Sequence, residues 1–211
     1  MSSIKLKHSG GNSVSLNPPT SAPTSSEVAF KLPNEDGSAG QVLKTDGSGN
    51  LSWVTPGIAQ ADQWRVTANY NMSSTETTLT SNWERNDTMF SYIGSGMTES
   101  SGIFTFPQTG VYKVNFQMTA FVNGQQTRYL GFHIKGSQDG TNYSKLTESL
   151  ASISDDGSAY QSVRGEAFFD VTNTTNCKIK FDVSSEHNNI TGDGHSDQNR
   201  TFATFIRLGD T

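Results

Sequence analysis

Residues 201–208 (TFATFIRL) alternate in a way that makes both faces of a strand apolar. One alternating set comprises Phe202, Ile206 and Leu208, and the other comprises Ala203 and Phe205. A strand on a sheet with one solvated face carries one polar set instead. The pattern therefore predicts a strand that is buried on both sides, by the core of its own domain and by another copy of the chain.

Residues 62–210 show no convincing helical period, and short apolar or alternating segments follow one another between Gly-rich and Asn-rich turns. In 111–122 and 177–183, apolar residues alternate with polar ones, as in half-buried strands. The strand candidates are 64–68, 77–79, 89–93, 102–106, 111–122, 128–135, 163–171, 177–183 and 201–208. Strands at this spacing predict an all-β domain, an antiparallel sandwich or jelly roll.

The first 16 residues have the pattern of a β-hairpin. Ile4 and Leu6 alternate with lysines, residues 9–12 turn the chain, and Val14 and Leu16 alternate again. A hairpin with only these apolar anchors is marginal in water. We therefore expect it to be an attachment element that becomes ordered on a partner protein.

A linker rich in Pro, Ser and Thr follows at 18–26. Further strands are expected at 28–32, 41–44 and 51–54, with a turn at 46–50. The turn lacks the regularly spaced acidic ligands of a calcium loop, so a plain hairpin turn is favoured. The predicted organisation is an N-terminal leader, residues 1–57, and a β-domain, residues 62–211.

Composition and charge exclude several classes of function. The chain of 211 residues has a net charge of −5 and no basic patch, which argues against a nucleic-acid partner. No apolar run approaches the roughly 20 residues of a membrane helix, and 1–11 lacks the apolar stretch of a signal peptide. A single cysteine, Cys177, excludes an internal disulfide. It alternates in phase with Ile179 and Phe181, so a buried, inert thiol is expected.

Candidate chemistry concentrates in residues 185–200, which could hold a cation or a sugar. The candidate ligand residues are His187, Asp193, His195 and Asp197. The segment lacks the spacing of a calcium loop and the tight constellation of a zinc site, so a solvated loop is favoured. His133 is expected to face solvent or to form a local hydrogen bond. No nucleophile elbow, phosphate loop or supported carboxylate pair appears, so no catalytic residue, metal or cofactor is predicted.

The leader resembles segments of known virion proteins. Residues 40–54 (GQVLKTDGSGNLSWV) resemble a segment common in tail-fibre and other structural proteins of tailed bacteriophages. The whole of 1–54 is similar to leaders of structural proteins from marine phages that infect cyanobacteria. The resemblance implies a place in a virion and leaves capsid, neck and tail open.

A second resemblance covers the β-domain. Residues 102–121 are similar to the "x-F-x-x-P-x-x-G-x-Y" segment of the complement-one-q and tumour-necrosis-factor jelly roll, with Phe104, Pro107, Gly110 and Tyr112 at the motif positions. Residues 201–210 match its closing strand. The resemblance implies a ten-stranded jelly roll that forms trimers around a threefold axis, and it implies binding rather than catalysis. The candidate interface residues are Asn115, Gln117, Phe121, Phe202 and Ile206, which include an unusually polar set near the axis.

Two hypotheses follow from these resemblances. The first is a virion structural protein, a homotrimeric fibre or decoration whose leader docks on other virion proteins through Ile4, Leu6, Val14 and Leu16. The second is a receptor-binding adhesin or lectin that recognises host surface glycan through the 185–200 loop. The two functions are compatible in one molecule.

Overall fold

The computed structural model describes residues 4–25, 27–86, 89–122, 124, 126–154 and 159–211. The chain divides into two compact units, Met1–Pro56 and Gly57–Thr211. All regular structure in the described ranges is β-strand, which confirms the all-β fold class. Within those ranges, no helix has the length and apolarity to cross a membrane.

The first unit, called the leader below, contains two antiparallel hairpins. Strand β1 (Ile4–Lys7) pairs with β2 (Ser13–Leu16), and β3 (Val42–Thr45) pairs with β4 (Leu51–Val54). In the expected 28–32 strand, only Lys31 forms a bridge, to Asn50, the residue before β4. The predicted strand over residues 28–32 was therefore too long, because only one residue of this segment pairs with another part of the leader.

The 46–50 turn between β3 and β4 is stabilised by the Asp46 carboxylate. It accepts hydrogen bonds from the backbone N–H groups of Ser48 (2.8 Å) and Asn50 (3.1 Å) and from the Asn50 side chain. The side-chain hydrogen bond from Asn50, followed by the Ser48 N–H, lowers the pKa of Asp46. The Asp46 carboxylate thus accepts its hydrogen bonds from within the turn, as expected for the predicted hairpin turn.

The second unit, called the β-domain, consists of two packed sheets. Its strands are β5 (Ala61–Val66), β6 (Tyr70–Asn71), β7 (Thr77–Thr78), β8 (Trp83–Arg85), β9 (Tyr92–Ile93), β10 (Thr98–Ser100), β11 (Ile103–Thr105), β12 (Gly110–Val122), β13 (Thr127–Ser137), β14 (Ser144–Ile153), β15 (Tyr160–Val171), β16 (Lys178–Ser185), β17 (Ile190–Gly192) and β18 (Phe202–Gly209). The six-stranded sheet has the order β10-β11-β16-β13-β14, with β7 also paired to β16. The eight-stranded sheet has the order β6-β17-β12-β18-β5-β8, with β15 also paired to β12 and β9 to β5.

The core lies between these sheets and is centred on aromatic rings. Phe104 lies 5.0 to 5.7 Å, centroid to centroid, from the rings of Trp64, Trp83, Phe181 and Phe205. Such aromatic pairs add about 0.5–1.5 kcal/mol each beyond the burial of their area. All the fully buried large side chains among the described residues belong to the β-domain. The leader therefore has no comparable core of its own.

Cys177 is buried in this core, as predicted. Its thiol donates a hydrogen bond to Gln138 Oε1, 2.8 Å away. Of the two outcomes expected for His133, the local hydrogen bond is the one found: only 3% of the residue is exposed, and its Nε2 lies 2.8 Å from Oε1 of Glu148, directly opposite on β14. Its ring lies among charged side chains on the outside of the six-stranded sheet.

Candidate functional site

The side of the eight-stranded sheet that faces away from the core is the candidate assembly surface, and it is called the outer face below. In β18, Ala203 and Phe205 point into the core, whereas Phe202, Thr204 and Ile206 lie on the outer face and are half-buried. The alternation predicted for 201–208 is therefore present in the structure. A half-buried apolar set on the outside of a sheet indicates an interaction surface.

Strand register aligns one row of side chains across this face. Phe168 lies opposite Lys113, Lys113 opposite Ile206, Ile206 opposite Ala61, and Ala61 opposite Ile93. Directly opposed residues in antiparallel strands contact each other on one face. The row ends in an exposed apolar side chain at each edge, because Phe168 is 65% and Ile93 is 43% exposed.

The edge formed by β14 and β15 is the first of two exposed apolar regions. Hydroxyl groups of β14 join the two sheets there, since Thr147 Oγ1 donates to the Glu166 carbonyl (2.7 Å) and Ser149 Oγ to the Arg164 carbonyl (2.8 Å). Phe168 and Leu146 both line an open recess of about 440 Å³ beside this edge. Exposed apolar side chains around a recess are suited to receive side chains of a partner.

The opposite edge, at β9, is held in place by a buried carboxylate. Asp62 accepts hydrogen bonds from the Met97 backbone N–H (2.7 Å) and from Arg85 Nε (3.1 Å). The Arg85 guanidinium lies 4.7 Å from the centre of the Tyr92 ring. These contacts fix β9 against β5 and so position the exposed Ile93.

Polar side chains occupy the middle of the outer face. Gln117 is nearly buried, donates to the Arg200 carbonyl (3.0 Å) and accepts from Arg164. Asn115 is exposed, and Phe121 is half-buried with its ring 5.2 Å from that of Tyr160. All five candidate interface residues thus lie on strands of this one face. Their role in assembly stays a prediction.

Two solved structures share the architecture of the β-domain. The crystal structure of murine APRIL at pH 5.0 matches with a TM-score of 0.51 and 16% identity, over 71% of this chain and 98% of that one. The structure of Eiger TNF from S. frugiperda matches with a TM-score of 0.53 and 13% identity, over 72% and 93%. The β-domain is a tumour-necrosis-factor-like jelly roll. No family model and no curated protein matches the sequence.

The fold expected from residues 102–121 and 201–210 is therefore confirmed. The jelly roll carries more strands than the ten that were expected, since its described residues form a six-stranded and an eight-stranded sheet. The additional strands include the short β6, β7, β9 and β17, each of two or three residues. Identity at this level shows the fold alone.

The candidate ligand residues of the 185–200 segment are engaged in hydrogen bonds within the jelly roll. Asp193 is buried and forms two hydrogen bonds with Arg200, of 3.0 and 2.9 Å. His195 Nδ1 accepts from the Asp197 backbone N–H (3.0 Å), and His187 Nε2 lies 3.0 Å from the Gln126 carbonyl oxygen. No group of three or more His, Cys, Asp or Glu in the described ranges is arranged to hold a metal ion.

The prediction of a solvated loop was wrong for part of this segment. Ile190–Gly192 forms β17, which pairs with β12 on one side and with β6 on the other. The Thr201 hydroxyl donates to the Asp193 carbonyl (2.8 Å), and Asp193 itself is inaccessible to solvent on nearly all of its surface. The pair of the buried Asp193 and the half-exposed Arg200 therefore closes the end of the sheet.

A charged network that the sequence did not reveal covers the outside of the six-stranded sheet. Glu76 lies 3.0 Å from His133 Nδ1 and 3.1 Å from Lys145 Nζ, and it also contacts Lys135. Lys135 lies 2.8 Å from the buried Asp182. Burial raises the pKa of Glu76, but hydrogen bonds from Lys135 and Lys145 and the nearby His133 outweigh it. The pKa falls to about 2.

We expect the Glu76→Gln variant to lose stability at neutral pH and to be less sensitive to acid. A carboxylate whose folded pKa is about 2, against an ordinary 4.5, stabilises the fold above about pH 5, and this contribution is lost as pH falls towards 2. Solvent screens the network, so the expected loss at pH 7 is about 1–2 kcal/mol. Urea unfolding at pH 7 and pH 3 measures it. An equal loss at both pH values would contradict this account.

Proposed function

We propose that this protein is a structural component of a tailed-phage virion. It is a homotrimeric fibre or decoration protein whose leader attaches to the particle and whose jelly roll projects outward. The main observation that supports assembly into a homotrimer is the pair of exposed apolar regions at opposite edges of the outer face. The resemblance of residues 40–54 to phage structural proteins supports the virion location.

The two exposed edges are built from different residues, and this difference determines the kind of contact they form. Phe168 and Leu146 line a recess at one edge, and the side chains of Ile93 and Tyr92 are exposed at the other. A contact between two different surfaces of identical chains is heterologous, and it generates a ring if the rotation closes. Three copies close the ring in the family that residues 102–121 resemble. In this trimer the edge of one jelly roll covers the outer face of the next.

Polar residues of the outer face then lie near the threefold axis. Gln117 already has partners within its own protomer, so its burial at the interface leaves no amide unsatisfied. Asn115 is exposed and free to contact water or a neighbouring copy. The proposed interface is therefore apolar at its periphery and hydrated near the axis.

The β1–β2 hairpin is suited to attach the trimer to another virion protein. Register places Ile4 opposite Leu16 and Leu6 opposite Val14, so the four apolar side chains share one face. Each of them is at least 66% exposed. The other face carries lysine and serine. A strand pair with this composition packs its apolar face in a groove and keeps its lysines in water.

Deletion of residues 1–17 should abolish incorporation into particles and leave the trimer intact. A narrower test compares Leu6→Asp with Ser15→Asp, which introduce the same charge on opposite faces of the hairpin. Only Leu6→Asp should lower the copy number per particle, by tenfold or more. Copies are counted by quantitative mass spectrometry of purified virions. Normal incorporation of a trimeric protein that lacks residues 1–17 would refute the attachment role.

The glycan-binding alternative stays a prediction. His187, Asp193 and His195 are engaged in hydrogen bonds within the protomer. These hydrogen bonds account for the conformation of the segment without a ligand. No observation in the described segment therefore favours an adhesin over the virion role.

A further inference from the structure

A second apolar surface lies in the leader, on the small sheet built from β3, β4 and the Lys31 segment. Leu43 lies opposite Trp53, and both are on one face of the hairpin together with Leu51. Lys31 is bridged to Asn50, which belongs to the other face, so Phe30 and Leu32 on either side of Lys31 fall on the Trp53 side. The face formed by Phe30, Leu32, Leu43, Leu51 and Trp53 is called the Trp53 face below.

Other parts of the leader cover the Trp53 face only at Trp53 itself. The indole N–H of Trp53 donates to the Glu35 carbonyl (2.9 Å), and Gly37 packs so closely on the ring that a Cβ there would lie 2.6 Å from it. Phe30 and Leu32 remain 62% and 73% exposed, and Leu43 is 45% exposed. Exposed apolar side chains at this density need a partner surface.

We propose that the Trp53 faces of three copies pack together, so that the leader forms its own contact around the threefold axis. The inference rests on the proposed trimer of jelly rolls. Residues 55–60 join β4 to β5, so each trimer carries three leaders on short connections. Short tethers of this kind give effective concentrations on the order of millimolar, at which weakly apolar faces associate.

The short tether favours a second copy of the chain over a foreign partner, and the charge of the leader does not oppose that contact. Residues 1–56 contain four basic and four acidic side chains, whereas residues 57–211 contain eleven basic and sixteen acidic ones. Three leaders therefore meet without net repulsion, although the chain as a whole is acidic. The five residues of the Trp53 face are uncharged, and Glu35 and Asp36 belong to the segment that covers Trp53. The lysine-bearing β1–β2 hairpin remains available for the virion partner.

Hydrogen exchange on the full-length protein tests this proposal. The reporters are the backbone N–H groups of Lys31, which donates to the Gly49 carbonyl, and of Leu51, which donates to the Lys31 carbonyl. In the trimer these amides should exchange at least tenfold more slowly than in the monomeric Ile206→Lys variant. Leu43→Asp should remove that protection without changing the trimer mass. Ser52→Asp, on the opposite face of the same hairpin, should leave it unchanged.

A double variant separates packing between copies from local folding. In the monomeric Ile206→Lys background, Leu43→Asp should not accelerate exchange further, because no neighbouring leader is present. An equal acceleration in both backgrounds would overturn the proposal, since Leu43 would then act within its own leader. A trimeric protein whose two reporter amides are unprotected would overturn it as well and would leave the trimer of jelly rolls in place. A monomeric wild-type protein would refute both proposals.

Discussion

The Ile206→Lys variant should be monomeric at micromolar concentration. Ile206 lies in the middle of the outer face, directly opposite Lys113 and Ala61. A lysine there places a second ammonium group beside Lys113, whose carboxylate partner Glu166 is already engaged at 2.7 Å, and buries it at an apolar contact. The cost is about 2–3 kcal/mol at each contact and is repeated around the ring. Lysine is a stricter test than aspartate, because an aspartate could pair with Lys113.

The matched control for this variant is Ile103→Lys. Ile103 is half-buried on β11 and lies opposite Lys180 of the six-stranded sheet, away from the outer face and from the β14–β15 edge. It should keep the trimer, and both variants should keep the circular dichroism of a β-protein. Dissociation by both changes would indicate a general effect of charge, and a trimeric Ile206→Lys protein would place the interface elsewhere.

The Phe205→Ala variant should destabilise the jelly roll by about 3–5 kcal/mol. Phe205 is almost completely buried, and its ring lies 5.1 Å from that of Phe104. Truncation removes the apolar contacts and leaves a cavity at the centre of the aromatic cluster. Guanidinium unfolding at one fixed protein concentration measures the change, since the stability of an oligomer depends on concentration.

Thr204→Ala is the control for Phe205→Ala, because it changes the neighbouring outward position of the same strand. It should alter the free energy of unfolding by less than about 1 kcal/mol. A loss at Phe205 no larger than that at Thr204 would show that β18 does not present Phe205 to the core.

The sequence predicted the strands whose two faces differ in polarity or are both apolar. In β12 and β16 the alternation of apolar and polar residues marks the core side, and β18 has apolar residues on both sides, of which Ala203 and Phe205 face the core. Strand β14 was missed. Its residues are mostly exposed Ser, Thr, Lys and Glu at the edge of a sheet, so they bury too little apolar area to leave a pattern.

Tertiary contacts determined the features that the sequence did not predict. Glu76 and Asp182 meet near His133 only because β7, β13 and β16 lie side by side, and no local spacing reports that arrangement. The sequence likewise did not predict the pairing of Asp193 with Arg200, which lies across the turn that leads from β17 into β18. A segment that was predicted to be a solvated loop contains a buried carboxylate, because the fold supplies Arg200 as its partner.

The central claim is that the jelly roll assembles through its outer face into a trimer. Sedimentation equilibrium of the wild-type chain at micromolar concentration tests it most directly. The account predicts a single species with three times the protomer mass of 22.9 kDa. A species of 22.9 kDa under the same conditions would contradict it.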